Sequence, residues 1–451
     1  MNRYPDSHRT SQKLFERAKK VLPGGNTRTT VSIDPFPVYL ERGDGCRVWD
    51  IDGNVYYDCI NNFTSMIHGY GLPAVLASVQ NQIQLGTAFG APTRSEIELA
   101  EILVDRLASV ELVRFTNSGT EGVMMAIKAA RAFTGRPKIV KIEGAYHGSY
   151  DFAEVSLDST PANWGDCPNS TPYAKGTPQG VLDDVLVVPF NDIELLDAVL
   201  RQHGHGIAAV LIDPMPSRAG LVPARREYID ALFDSARSIG ALVIFDEVIA
   251  FRLGYSGAQG IWGAAPDLTV LGKIIGGGFP VGAVGGRAEV MKVFDGTSGK
   301  PALPHGGTFT ANPVTMHAGL ATMKELTPAA FAHLDLIGDT MRRRIGEILR
   351  KHGMAGQCLG RGSLLRVHFT DNQISDYRSA YPGPAGRKTL DAFHKGLLSR
   401  GVLIAPHGLI ALSTPMTVQD VGDILSAMDE TLEEIAYADA QPGSSAATRG
   451  G

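Results

Sequence analysis

The sequence predicts an α/β fold: a large domain around a mostly parallel sheet, with a smaller α+β domain beside it. Three observations predict it. Short apolar runs alternate with amphipathic helical stretches, the pattern of repeated strand–helix–strand units. The runs are almost continuously apolar, as suits strands covered on both faces. Near Pro313 the texture changes, helices lengthen and strands become sparse. Length agrees, since 451 residues exceed the roughly 250–300 at which a single core stops growing.

The elements follow in order. A helix is expected at Ser11–Leu22 and a hairpin at Val48–Tyr57, turned by Asp52-Gly53-Asn54, both packing beside the small domain. The strand Val113–Phe115 runs into Asn117-Ser118-Gly119-Thr120-Glu121, which opens a helix. That helix places Val123, Ile127 and Ala130 on one face and stops at Gly135. Further strands are expected at Lys138–Ile142, Val185–Val188, Ile207–Ile212, Ala241–Phe245 and Leu268–Leu271. From about Pro313 a long helical stretch reaches Lys351 and carries Met341-Arg342-Arg343-Arg344 on a solvated face. Then come a strand at Leu364–Phe369, a polar loop at Asp371–Arg387, a helix at Lys388–Ser399, a strand at Val402–Ile404 and a helix at Val418–Ala436. The expected division is an N-terminal segment 1–65 packing with the small domain, a large domain 66–315, a small domain 316–437 and a disordered Gly/Ser/Ala tail 438–451.

Composition excludes several functions. A net charge of −5 lacks the basic footprint of a nucleic-acid binder. Cys46, Cys59, Cys167 and Cys358 are scattered with no CxxC pair, so neither a zinc site nor a disulfide framework is expected, and a reducing compartment fits. The opening MNRYPDSHRT has no apolar core of a secretion signal, and no run of 18 apolar residues occurs. The expectation is a cytoplasmic protein without a metal, a membrane span or a nucleic-acid partner.

Glycine is the anomaly. The chain has 52, against roughly 32 at average usage, and eleven fall between Gly254 and Gly286, with Gly306 and Gly307 beyond. The string Leu271-Gly272-Lys273-Ile274-Ile275-Gly276-Gly277-Gly278 sets a lysine at a strand end among them. It is no phosphate-binding P-loop, because Asp267 stands where the remote glycine belongs and Ile274 follows the lysine. No strand is followed by a G-x-G-x-x-G opening a helix, and Thr116 removes the G-x-S-x-G frame from Ser118.

The strand-end residues make chemical sense together. Ser118-Gly119-Thr120 at a helix start suits a phosphate. Lys273 in an apolar loop suits a neutral amine that forms a Schiff base. Asp246, after a buried strand, needs a partner, and a protonated ring nitrogen supplies one. Phosphate, aldehyde and pyridinium are the three handles of pyridoxal 5′-phosphate.

With these motifs the chain resembles class III pyridoxal-phosphate aminotransferases of fold type I. The likeness is greatest to β-amino-acid (β-phenylalanine type) aminotransferases and glutamate-1-semialdehyde 2,1-aminomutases. It runs from about Leu14 to Ile435, through Arg114–Glu121, Gly144-Ala145-Tyr146-His147-Gly148, Phe245-Asp246-Glu247-Val248, Leu271–Gly278 and Gly307–Pro313. The resemblance implies that Ser118, Gly119 and Thr120 hold the phosphate, with Thr308 reaching it from the other subunit of a homodimer. It implies that Tyr146 stacks on one ring face and Val248 packs on the other. Asp246 pairs the ring nitrogen, Lys273 is the Schiff-base lysine and Asn191 lies behind the site. His147 is expected as a structural neighbour of the ring, and Glu121 as an acid suited to the helix dipole.

Departures from the family bear on the substrate. Aminomutases carry a substrate-binding arginine in Asn-Ser-Pro-Val-Arg; here Pro23-Gly24-Gly25-Asn26-Thr27-Arg28-Thr29-Thr30 brings Arg28 two places earlier, as in the β-phenylalanine enzymes. Arg28 is thus the expected carboxylate anchor. Phe63 stands where aminomutases have a tryptophan, and the segment after Asp246-Glu247 is one residue shorter than theirs. Gly86–Pro92, by contrast, follows an aminomutase segment. His407 occupies the place of an acceptor-binding arginine, and Asp213 replaces a glutamate. The reading is an aminotransferase moving an amino group from a β-amino acid to an oxo acid by a ping-pong mechanism. The alternatives are a glutamate-1-semialdehyde 2,1-aminomutase, another class III aminotransferase, or a silent member of the fold.

Overall fold

The computed structural model describes residues 4–439. The expected disordered tail therefore lies almost wholly outside the described residues.

Three sheets form. The N-terminal one joins β1 (Leu40–Asp44), β2 (Arg47–Asp50) and β3 (Val55–Asp58) as an antiparallel meander. The large one contains β4 (Leu112–Thr116), β5 (Lys138–Ile142), β6 (Val185–Val188), β7 (Ile207–Ile212), β8 (Leu242–Asp246), β9 (Leu268–Gly272) and β10 (Gly282–Gly286), in the order β4-β10-β9-β8-β7-β5-β6. The third contains β11 (Gln357–Arg361), β12 (Leu364–His368) and β14 (Leu409–Ala411), while β13 (Val402–Leu403) leaves it to pair in parallel with β3. That pairing sets Val402 against Tyr57, so the N-terminal segment and the C-terminal elements share one sheet.

Every expected strand of the large sheet forms within a residue or two of its expected bounds. β7 is buried along its whole length, as its apolar run requires. The helix Gly119–Thr134 buries Val123, Ile127 and Ala130 and ends at Gly135 in the left-handed conformation, where a missing side chain costs nothing.

Some elements differ from expectation. β10 has the sequence GAVGG, which carries no side-chain alternation, yet it pairs antiparallel with both β4 and β9. Glycine is required there by closeness: a Cβ on Gly282 would fall 2.0 Å from the Ser118 carbonyl oxygen. β11 is masked in the same way by Gly360. The long C-terminal helix is two, Pro313–Glu325 and Pro328–Lys351, because Pro328 starts a new helix capped by Thr327. Within the second, Met341 is buried and Arg342 folds back onto the carbonyls of Gly362 and Leu364, leaving Arg343 and Arg344 on the solvated face. Among the described residues, no helix is long and apolar enough to cross a membrane.

Two antiparallel pairings separate β4 from β9, so β4 points the same way as the parallel run β9-β8-β7-β5-β6. The residues following β4, β9, β8, β7 and β5 therefore emerge at one edge, where open α/β sheets bind ligands.

Candidate active site

At that edge stand Ser118-Gly119-Thr120 after β4, Lys273 after β9, Asp246 closing β8 and Asp213 after β7. The Ser118 hydroxyl oxygen caps its helix, accepting from Glu121 N at 3.2 Å. Glu121 reaches back and accepts from Asn117 N at 2.8 Å and from its side-chain amide at 3.1 Å, so the turn is locked from both sides. The Thr120 hydroxyl oxygen accepts from Ser149 N at 3.3 Å. Among the described residues neither hydroxyl proton has an acceptor, and the Gly119 and Thr120 amides beside them are left by helix geometry without an intrahelical one. This is an anion cup.

Val248 is wedged beneath it. A Cβ on Gly119 would lie 2.9 Å from both Val248 methyls, and one on Gly272 3.3 Å from the nearer. The other glycines of the Lys273 loop serve packing more than the cup. A Cβ on Gly277 would meet the Ala318 carbonyl at 2.5 Å, so the loop lies directly against the helix Pro313–Glu325.

Asp246 is buried, and both its oxygens already accept: Oδ1 from Val248 N at 2.9 Å and Oδ2 from His147 Nδ1 at 2.7 Å. A carboxylate only accepts, so His147 carries its proton on Nδ1. Burial lowers the His147 pKa and favours the neutral ring, against the pull of Asp246. Its Nε2 is buried without a partner among the described residues. Each Asp246 oxygen retains a further acceptor position. Tyr146, between the buried Ala145 and His147, is 40% exposed.

Lys273 is held at φ 50°, a left-handed conformation uncommon for a side chain of its size. Burial pushes its ammonium pKa down; Asp246 and Asp213 oppose this, and Arg252 adds to it. Asp213 is pushed up by burial and by the Asp246 charge. Glu247 is pushed up to about 7, chiefly by burial, although it accepts from the backbone of Ala258 and Gln259.

Two features escaped the sequence reading. The first is a run of four left-handed residues, Asn61, Asn62, Phe63 and Thr64, at φ 51°, 45°, 54° and 75°. L-residues adopt this conformation at a cost of about 1–2 kcal/mol each. The paired asparagines were its only sequence signal. The second is Arg252, fully buried with no carboxylate partner among the described residues. It donates from Nη1 to the Thr64 carbonyl at 2.8 Å, from Nε to Ser363 Oγ at 2.9 Å and from Nη2 to the Leu412 carbonyl. It thereby ties the segment after Asp246 to the left-handed turn and to the C-terminal sheet. Nothing in its sequence position signals this.

The turn is where Arg28 arrives. Arg28 Nη1 donates to Asn62 Oδ1 at 2.9 Å, and its guanidinium lies 5.6 Å from the Phe63 ring centre. The structure thus brings Arg28 and Phe63 together. Thr308 is exposed on the loop that Arg114 holds through His305. Asn191 is not brought to the cluster. It follows the edge strand β6, three strands from β8, and its amide is committed to Arg225 N and the Ser375 carbonyl. Burial, and after it the charges of Arg366, Arg218, His368 and His394, push the His407 pKa down to about 3. Lys273 and Asp246 are absent from that set.

These residues fit pyridoxal 5′-phosphate: an anion cup, an exposed tyrosine, a valine wedged against the cup, a buried carboxylate with acceptor capacity to spare and an amine of lowered basicity.

Comparison with known proteins agrees. The aminotransferase class-III family model matches residues 29–435. The glutamate-1-semialdehyde 2,1-aminomutase of Bacillus subtilis (strain 168) is 38% identical over 438 residues, covering 95% of this chain and 99% of that protein. An omega-transaminase from Sphaerobacter thermophilus is 51% identical, with a TM-score of 0.92 over 95% of this chain and 98% of that one. A β-phenylalanine aminotransferase from Variovorax paradoxus is 34% identical, with a TM-score of 0.87 over 96% and 95%.

Proposed function

Since the chain belongs to the class III aminotransferases, with the type I fold and the pyridoxal 5′-phosphate cofactor of that family, we propose that it transfers an amino group from a carboxylate-bearing amino donor to an oxo acid. The observation that carries the donor class is the Arg28–Asn62 pair beside Phe63: a guanidinium held by one neutral side chain, with donors left for a carboxylate.

When bound, the cofactor supplies an aldehyde that takes up amines and a protonated ring that accepts an electron pair. The chain's residues do the rest. Ser118, Gly119 and Thr120 donate to the phosphate, and Tyr146 and Val248 flank the ring. Asp246, oriented by His147, accepts the ring N–H and so keeps the ring protonated. Lys273, as a neutral amine, would take a proton from the substrate carbon and return it. Thr308 completes the phosphate cup of a second copy, in a homodimer with shared sites.

A second reading, intramolecular transfer within glutamate 1-semialdehyde, has a specific observation behind it. Relatives from several bacteria at 34–38% identity bear the aminomutase name. This supports the aminomutase better than it supports a β-amino acid as donor, for which the 34%-identical neighbour is the support. The omega-transaminase at 51% identity supports intermolecular transfer without naming a donor.

A panel of β-phenylalanine, 3-aminobutyrate and glutamate 1-semialdehyde, each with and without pyruvate or 2-oxoglutarate, tests this. Turnover of a β-amino acid that needs the oxo acid is expected. Conversion of glutamate 1-semialdehyde with no oxo acid, and no turnover of the others, would establish the aminomutase instead.

A further inference from the structure

The turn that follows β5 carries both Tyr146 and His147, and it is fastened from two sides. On its own side, Gly144 N donates to the Ser156 carbonyl at 2.8 Å, and the Lys141 ammonium donates to the Ala145 carbonyl at 3.3 Å. From the other side comes the segment 375–381, between β12 and the helix Pro384–Ser399. Arg378 in that segment donates from Nε to Glu143 Oε2 at 2.7 Å and from Nη2 to Glu143 Oε1 at 3.2 Å. A bidentate grip of this kind fixes angle as well as distance. Glu143 immediately precedes Gly144, and its side chain is 1% exposed.

The rest of the guanidinium is spent on the neighbouring loop. Nη1 donates to the carbonyls of Gly165 at 2.7 Å and Asp166 at 3.2 Å, and Nη2 also to that of Trp164 at 2.9 Å. Tyr377 lies directly on Gly144, where a Cβ would fall 2.0 Å from Tyr377 Cδ2. Its hydroxyl donates to the Ser159 carbonyl at 2.7 Å. The segment is stiffened from within, since Asp376 Oδ1 accepts from Ser379 N at 2.8 Å and from Ser379 Oγ at 2.6 Å. The Asn191 amide donates to the Ser375 carbonyl at 3.1 Å, so Asn191 holds this segment.

We propose that Glu143 and Arg378 are a positioning pair for the cofactor site, fixing the turn from which Tyr146 flanks the ring and His147 orients Asp246. The inference rests on the roles given to Tyr146 and Asp246 in the proposed reaction. A carboxylate buried this deeply keeps its charge only while it is paired. Burial raises the Glu143 pKa, and Arg378 opposes the rise. Without Arg378, Glu143 takes up a proton or turns toward water, and the turn behind it loses its second anchor.

The test compares the wild type with Glu143→Gln, Arg378→Met and the double variant, well below the Tm of each. In the apoprotein, amide hydrogen exchange of the peptide 143–149 should quicken roughly tenfold in both single variants, while β7 exchanges as before. In equilibrium dialysis, both should bind pyridoxal 5′-phosphate on the order of tenfold more weakly. The double variant should bind it no more weakly than Arg378→Met, because one link is broken once. Arg378→Lys keeps the charge without the fork and should recover part of the loss. If Arg378→Met does not fold, Glu143→Gln and Arg378→Lys carry the same comparison. A pair that only stabilises the fold would lower Tm and leave cofactor affinity as in the wild type. Unchanged affinity in Glu143→Gln therefore overturns the proposal, as do losses that add in the double variant. A wild type that binds no cofactor would overturn the cofactor reading instead, and exchange in the apoprotein would still decide whether the pair holds the turn.

Discussion

His147 Nδ1 and Asp246 Oδ2 lie 2.7 Å apart, both buried, and the bond fixes which way the carboxylate faces. His147→Phe keeps the ring shape and removes the donor. Hydrogen bonds to charged groups contribute about 1.5–3 kcal/mol, so affinity for pyridoxal 5′-phosphate should fall on the order of 10–100-fold. Equilibrium dialysis of the cofactor measures this, and unchanged binding would show that Asp246 needs no orientation.

Lys273→Ala should abolish the visible absorbance of lysine-bound cofactor while the fold persists. Spectra after reconstitution, beside circular dichroism, check it. A surviving band would place the reactive amine elsewhere, and the buried Lys141 is the next candidate. That side chain donates to the carbonyls of Ile142, Ala145 and Val155, so it braces the turn carrying Tyr146.

The Arg28–Asn62 pair separates binding from strain. Asn62 sits at φ 45°, so Asn62→Gly removes the Arg28 partner and relieves the backbone, whereas Asn62→Ala removes the partner and adds strain, because alanine tolerates the left-handed region less well than asparagine. KM for carboxylate-bearing donors should rise in both, far more than KM for plain amines. Stability should fall by about 1 kcal/mol in the alanine variant alone. Equal KM changes on both donor types would remove Arg28 from the carboxylate site.

Arg252→Met should cost on the order of 3 kcal/mol, since it leaves the carbonyls of Thr64 and Leu412 buried without a donor. Arg252→Lys, with one ammonium in place of a fork, should recover part of that. Urea unfolding gives the stability. A shift of the pH at which the Lys273-bound band changes, upward in Arg252→Met, tests whether the Arg252 charge reaches Lys273.

Acid should destabilise the protein through His368. Burial, aided by Arg366, pushes its pKa from the ordinary 6.5 to about 4, so the unfolded chain binds the proton first. The stabilising contribution is complete above about pH 6.5 and is lost as pH falls toward 4. His368→Asn should flatten that limb of the Tm–pH curve between pH 7 and 4. An identical limb in the variant would assign the loss to other groups.

The sequence by itself determined the parallel strands, because strands covered on both faces must be apolar throughout, and β7 reads IAAVLI. It also placed Ser118–Thr120, Asp246 and Lys273 at the ends of recognisable strands, which the large sheet brings to one edge. It did not reveal β10, whose glycines admit the carbonyls of Ser118, Leu112 and Asp267, nor the break at Pro328 inside a continuous helical pattern. Only the tertiary structure decided which polar groups meet. Arg252 joins residues 64, 363 and 412, and Arg366 shares its guanidinium between β12 and the loop at 217–218. Such partners are set by how the sheets stack, and a buried cation satisfied by carbonyls leaves no complementary charge in the sequence. Backbone conformation is hidden likewise: the four left-handed residues at 61–64 are tied by hydrogen bonds to Arg28, Ala411 and Arg252, against the local preference of each.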